Sequence, residues 1–267
     1  MIQIPSFQEW LSGILNDYYS VFRIAEPVKV NYVFSDNIVE SYAELRPDHF
    51  QKDPDRVRSL SLYNGNTVPP LTVDGVFTVL INKPMMLKYL STGNMTTVGT
   101  IVHETTHAKD FSDYARMIGA SDYEDIISIE KNYIFQLWTE FNARAKGYFF
   151  VRKYTFRNMY DESLVDDVIQ SELPAQEQLL YNNYHSTQDG FQQAYYVSHF
   201  LGRLYSLQAI YPRRITDSWL KNMPLFLENN WIQNWYWFLK KHDTLAKAYP
   251  AFDMMRKILN ANFPWMT

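Results

Sequence analysis

The sequence predicts an α+β protein: an N-terminal helix, a small and mostly antiparallel sheet, a central helix and a large helical C-terminal half. Three observations carry the prediction. Strand-like runs rich in β-branched and aromatic residues are confined to the first third of the chain. From Pro84 onward, apolar residues recur at helical spacing almost to the end. Between these regions, a cap signal near Asn94 and a stop signal at Gly119 bracket one helix.

Taken in order, Phe7, Trp10, Leu11, Ile14, Leu15 and Tyr18 lie on one helical face, and after Pro27 the run VKVNYVFSD reads as a strand. Between Ile38 and Ile81, strand-like runs are separated by turn signals at Asn64-Gly65, Pro69-Pro70 and Asp74-Gly75, the pattern of antiparallel hairpins. The stretch from Val76 to Ile81 is nearly all apolar, which predicts a covered strand. In STGNMTT, Asn94, Thr96 and Thr97 are each able to cap the central helix, and Gly119 ends it. Ser121 with Glu124 then reads as a capping box before the longest helical pattern in the chain. Further helices follow in DESLVDDVIQ, in GFQQAYYVSHFLGRLYSLQAIY and from Trp231 towards Leu259. The turn near residue 160 divides a core over 1–160, with the sheet and central helices, from a helical half over 161–267 packed on it; the two also read as one continuous domain.

A chain of 267 residues is long enough to bury a sizeable core. Its net charge of −4 leaves no basic footprint, so nucleic acid is not an expected partner. No run approaches the roughly 20 apolar residues of a membrane span, so no membrane partner is expected either. The first residues lack a basic start, an apolar run and a small-residue cleavage signal. The expected compartment is therefore cytoplasmic, although a secreted mature form would read the same. Oligomeric state is not legible. Cysteine is absent, which excludes disulfides and thiolate ligands, so any metal must be held by imidazole and carboxylate.

The chemistry concentrates in His103-Glu104-Thr105-Thr106-His107, which uses two of only six histidines. On a helix, positions i and i+4 lie one turn apart on the same face, so both imidazoles can converge on one ion. Zinc binds imidazole at about 2.0–2.1 Å and, when catalytic, takes three protein ligands and keeps one position open. Glu104 sits about 100° round the helix, where a general base for an activated water belongs. Val98, Ile101, Val102, Thr105 and Ala108 form the opposite face, so the helix is expected to pack on one side and show its histidines to a cleft. The plainer alternative is a pair of surface histidines at this spacing by chance.

Carboxylates offer the third ligand. Asp113 lies six residues past His107, but that spacing needs a glycine turn where this chain has Asp110. Asp110, at i+3 from His107, suits a hydrogen bond to an imidazole. Glu140, with the small Ala143 three residues on, is the preferred ligand. Glu130 competes with it, because a straight helical hairpin would set Tyr133 opposite His107 and leave Glu140 about 10 Å further along.

His103-Glu104-Thr105-Thr106-His107 followed by Glu140 in a Glu-x-x-Ala context resembles the gluzincin branch of the zincin metallopeptidases, including compact bacterial and phage peptidases of the repressor-cleaving type. The resemblance covers Asn94 to Ala143. It implies a zincin-like fold, with a strand-rich half, an active-site helix and a helical half. It further implies a Zn2+ ion held by His103, His107 and Glu140, with Glu104 activating water against a peptide or protein substrate. Thermolysin-like members carry an Asp four residues after the ligand Glu, where this chain has Arg144; Asp110 is available for that orienting role. His185, His199 and the tyrosines are candidates for stabilising an oxyanion. VFTVLIN, the last strand before the helix, is a candidate edge for an extended substrate, although its apolar continuity reads more simply as a core strand. A zinc-dependent peptidase is therefore the leading expectation. A non-catalytic zincin-like binding or regulatory module is the alternative, and a helical interaction protein with a chance motif the weakest reading.

Overall fold

The computed structural model describes residues 7–263, with the side chain of Glu130 outside the described part. The chain falls into two units, Met1–Tyr123 and Glu124–Thr267. The edge expected near residue 160 lies inside the second unit. The physical reason is that the long helix before it packs within that unit, against a helix that follows it in sequence.

In the first unit, α1 (Phe7–Val21) leads into β1 (Val30–Ser35). Three short helices follow: α2 (Ile38–Leu45), α3 (Pro47–Lys52) and α4 (Pro54–Ser59). The hairpin strands expected between Ile38 and Tyr63 are therefore helical, and the local chemistry explains why. Asn37 Oδ1 caps α2 by accepting from the Glu40 N–H, Pro47 and Pro54 open α3 and α4, and Asp53 caps α4 through the Arg56 N–H.

Strands β2 (Gly65–Val68) and β3 (Phe77–Asn82) are antiparallel, while β1 pairs with β3 in parallel, giving the order β1-β3-β2. The sheet is thus mixed rather than mostly antiparallel, because α2 to α4 supply a crossover of the length that parallel strands need. Asn64-Gly65 is no turn; Gly65 opens β2. VFTVLIN supplies the central strand, so it is the core strand of the simpler reading, with Val79, Leu80 and Ile81 almost fully buried.

Strand alternation then assigns the two faces. Val33, Leu80 and Val68 pack with Ile38, Val57 and Leu60 on the α2–α4 side. Their neighbours Tyr32, Val79 and Thr67 stand on the opposite face, in register across the sheet. Helices α5 (Lys83–Ser91) and α6 (Thr96–Ile118) complete the unit, and α6 lies against β2, β3 and α1.

The second unit is helical. A short α7 (Glu124–Ile127) precedes α8 (Ile129–Thr155), which is kinked at Asn132. Ser121 does not form the expected capping box; its hydroxyl donates to Asp122 instead. Helices α9 (Val165–Asp167) and α10 (Leu173–His185) lead to α11 (Gly190–Ile210), the main partner of α8. The remainder comprises α12 (Asp217–Lys221), α13 (Pro224–Glu228), α14 (Asn230–Lys241), α15 (Leu245–Ala248) and α16 (Phe252–Asn260). No helix among the described residues is long and apolar enough to cross a membrane.

Candidate metal centre

Helix α6 begins and ends for local reasons. Asn94 Oδ1 accepts from the Thr96 N–H at 2.8 Å and from its hydroxyl at 2.6 Å, which satisfies groups that the first turn leaves open. At the other end, Gly119 takes the left-handed conformation at φ 67°, where a side chain would strain the backbone. The helix runs unbroken through Asp110 to Ile118.

On this helix the ring Nε2 atoms of His103 and His107 stand 3.0 Å apart, with ring centroids at 4.5 Å and planes nearly perpendicular. Two nitrogens bound tetrahedrally to one zinc at about 2.0–2.1 Å lie about 3.3 Å apart. Parting the rings by a few tenths of an ångström therefore suits the pair to a shared ion, and imidazole with carboxylate is a donor set that zinc accepts.

Glu104 is held from the sheet. The Thr67 hydroxyl lies 2.8 Å from Glu104 Oε2 and 2.8 Å from the Glu104 backbone carbonyl. A hydroxyl has one proton, so it divides its donation between the two oxygens and ties the carboxylate to β2. Two residues along the same strand, a Cβ on Gly65 would stand 2.8 Å from Thr100 Cγ2 and 3.1 Å from Glu104 Cγ. Glycine there lets β2 lie directly on the helix.

The two threonines of the motif are anchored as well. Each hydroxyl donates to the carbonyl four residues back, Thr105 to Ile101 at 2.6 Å and Thr106 to Val102 at 2.8 Å. The phenols therefore donate to them: Tyr32 from β1 reaches Thr105 at 2.7 Å, and Tyr18 from α1 reaches Thr106 at 3.0 Å. Burial pushes the pKa of Tyr18 well up and that of Tyr32 above its ordinary range, so both remain protonated donors.

The expectation of one packed and one open face is corrected here. His103 and Glu104 are each only 8 % exposed, Thr105 and Thr106 are fully buried, and His107 is half-buried. The sheet and α1 cover flanks of α6 that its amphipathic pattern did not assign. Asp113 is drawn away from a ligand role, since Lys109 holds both its oxygens at 2.6 and 2.7 Å and Arg116 adds a bond at 2.7 Å. Asp110 is buried at 5 % exposure, near enough to Tyr18 to raise the phenol's pKa. The side chain of Glu130, the competing ligand, lies outside the described residues.

In the second unit, Glu140 on α8 is buried, with Oε1 3.9 Å from both His199 Nε2 on α11 and Arg144 Nη2 one turn on. Burial, then the charges of Arg144 and Arg203, hold the His199 pKa well below its ordinary value, so the ring is neutral. His185, the other candidate donor, is exposed at the end of α10, its ring tilted against Tyr181 and edge-on to Tyr184. Sequence reading missed Thr67, Tyr18 and Tyr32. Each lies between 37 and 88 residues from its partner, and no local pattern marks it.

Compared with models of protein families, with curated proteins and with solved structures, the chain finds no match.

Proposed function

We propose that this chain is a zinc-dependent peptidase of zincin-like design, in which His103, His107 and Glu140 hold Zn2+ and Glu104 is the general base. The reading is supported above all by the 3.0 Å approach of the two Nε2 atoms on a helix whose intervening Glu104 is tethered to the sheet by Thr67. His103, His107 and Glu140 are of the types that could hold a metal ion. Bound zinc supplies a Lewis acid that polarises a carbonyl and brings the pKa of water towards ~7.

The chain's own groups do the rest. Glu104 takes a proton from the attacking water and delivers it to the leaving amine as the peptide bond breaks. Thr67 limits where that carboxylate swings. His199, neutral and beside Glu140, is favoured over the exposed His185 as donor to the developing oxyanion.

Metal analysis of the purified chain tests the proposal. One zinc per chain, lost in His103→Ala, with a peptide library cleaved by the wild type and untouched by Glu104→Gln, is the expected result. A folded chain that takes up no zinc sinks it. If zinc is held but Glu104→Gln leaves the biological activity unchanged, the non-catalytic module is the correct reading.

A further inference from the structure

The contact between α8 and α11 carries more positive charge than its neighbours neutralise. Along α8, Glu140, Arg144 and Tyr148 follow at intervals of four, and along α11 His199 and Arg203 do the same, so each set forms one stripe. The helices meet closely between the stripes: a Cβ on Gly202 would lie 2.6 Å from the Phe141 carbonyl oxygen and 2.9 Å from Arg144 Cβ. Arg152 is engaged by Glu172 at 2.8 Å and by the Tyr211 hydroxyl at 2.8 Å. That leaves Glu140 facing Arg144 at 3.9 Å, with Arg203 set over the ring of Tyr148 at 6.0 Å. Among the buried donors on these two helices with no hydrogen-bond partner among the described residues are Arg144 Nε, Arg203 Nε and the Tyr148 hydroxyl; Arg152 Nε and the Ser206 hydroxyl are unmet as well, although both Nη atoms of Arg152 are engaged.

Leaving such groups unmet is costly, and for a charged group the cost is larger. Arg203 shows the strain electrostatically: burial and the charge of Arg144 lower its pKa to about 10, against the opposing pull of Glu172 and Glu140. The Arg144 side chain is 29 % exposed and that of His199 24 %, so the edge of this cluster reaches solvent.

We propose that Arg144, Arg203 and Tyr148 form a binding site for the carboxylate of a peptide ligand. A carboxylate is planar and accepts at about four lone-pair sites, so it can take both Nε–H groups and the phenol at once. It also balances the charge that Glu140 and Glu172 leave over. Naming a peptide as its carrier rests on the peptidase reading; the unmet donors do not.

The test reads the donors themselves. In the full-length Glu104→Gln chain, the side-chain Nε–Hε NMR signals of Arg144 and Arg203 are assigned through Arg144→Lys and Arg203→Lys. They are then followed during titration with one N-acetylated peptide as the free acid, as the C-terminal amide, and as the amide with an internal glutamate. A downfield shift of both signals with the free acid alone supports the site and makes the C-terminal carboxylate its ligand. An equal shift with the glutamate-bearing amide supports the site with an acidic side chain as its ligand. Shifts with neither peptide, or with inorganic phosphate alone, overturn the proposal. Arg203→Lys and Tyr148→Phe, which keep the charge and the ring respectively, are each expected to weaken binding roughly ten- to hundredfold; wild-type affinity in both also overturns it. Zinc content and cleavage by the wild type are read separately, so a failure of the peptidase reading does not imitate a failure of this site.

Discussion

Substituting Gly202 by alanine places a methyl group where α8 and α11 leave none. The added Cβ would stand 2.6 Å from the Phe141 carbonyl oxygen, 2.9 Å from Arg144 Cβ and 3.1 Å from the Ala145 nitrogen. Two of these are backbone atoms of a helix and cannot rotate aside, so the helices must separate. Overpacking of this kind costs about 1–3 kcal/mol, here towards the upper end. Alanine's better helix propensity offsets about 1 kcal/mol. The net expectation is a loss of about 1–2 kcal/mol and a fall in Tm of roughly 2–8 °C. Gly13→Ala is the matched control: it sits exposed on α1 with nothing within 4 Å of the added carbon, so it gains about 1 kcal/mol from propensity alone. Thermal and urea unfolding of both variants reads the difference. If the units melt separately, Gly13→Ala raises the transition of the first and Gly202→Ala lowers that of the second. A Gly202→Ala chain as stable as the wild type would refute the close approach of the helices.

Further outcomes follow from the candidate centre and its supports. Thr67→Val removes the hydroxyl that holds Glu104; kcat on a cleaved peptide is expected to fall roughly tenfold or more with zinc content and KM little changed, and Thr67→Ser to restore it. Stripping zinc with a chelator should lower Tm, since an ion present at 100 times its Kd stabilises by about 2.7 kcal/mol; the shift should vanish in His107→Ala. Tyr18→Phe should cost about 0.5–1.5 kcal/mol by denaturant unfolding, because Thr106 keeps its own donation to the Val102 carbonyl and loses only one incoming bond. Hydrogen bonds from Arg46 hold the Asp48 carboxyl down to about 2 against an ordinary value of 3.8. A pKa lowered in the fold gives stability that is present above the unfolded value and disappears as pH falls from about 4 to 2. Asp48→Asn should therefore flatten that part of the Tm profile, by a small amount because the side chain is more than half exposed.

The limits of sequence reading fall at particular residues. Asn94, Gly119 and the apolar stripe of α1 announce themselves because caps, stops and helical faces are decided within one or two turns. In the region 38–62, Asn37, Pro47, Asp53 and Pro54 were equally local helix-start signals. Only Ile38, Val39 and Val57 are β-branched there, so nothing in the stretch opposes the caps and prolines that start its helices. The parallel pairing of β1 with β3 carries no local mark, because it depends on where the intervening helices return the chain. The same holds for the coverage of α6: its pattern identifies one apolar face, whereas polar contacts from Thr67, Tyr18 and Tyr32 bury much of the rest.

What the sequence determined by itself was a donor set and a spacing. The absence of cysteine restricts any metal to imidazole and carboxylate, and 3.6 residues per turn bring His103 and His107 to one side of a helix wherever that helix lies. Tertiary structure decided which groups hold Glu104, why Thr105 and Thr106 are buried with their hydroxyls satisfied, and which arginines on α8 and α11 are left with unmet donors. Those outcomes join residues tens of positions apart, and hydrogen bonds at about 3 Å are set by how strands register and helices pack, which no short stretch of sequence encodes.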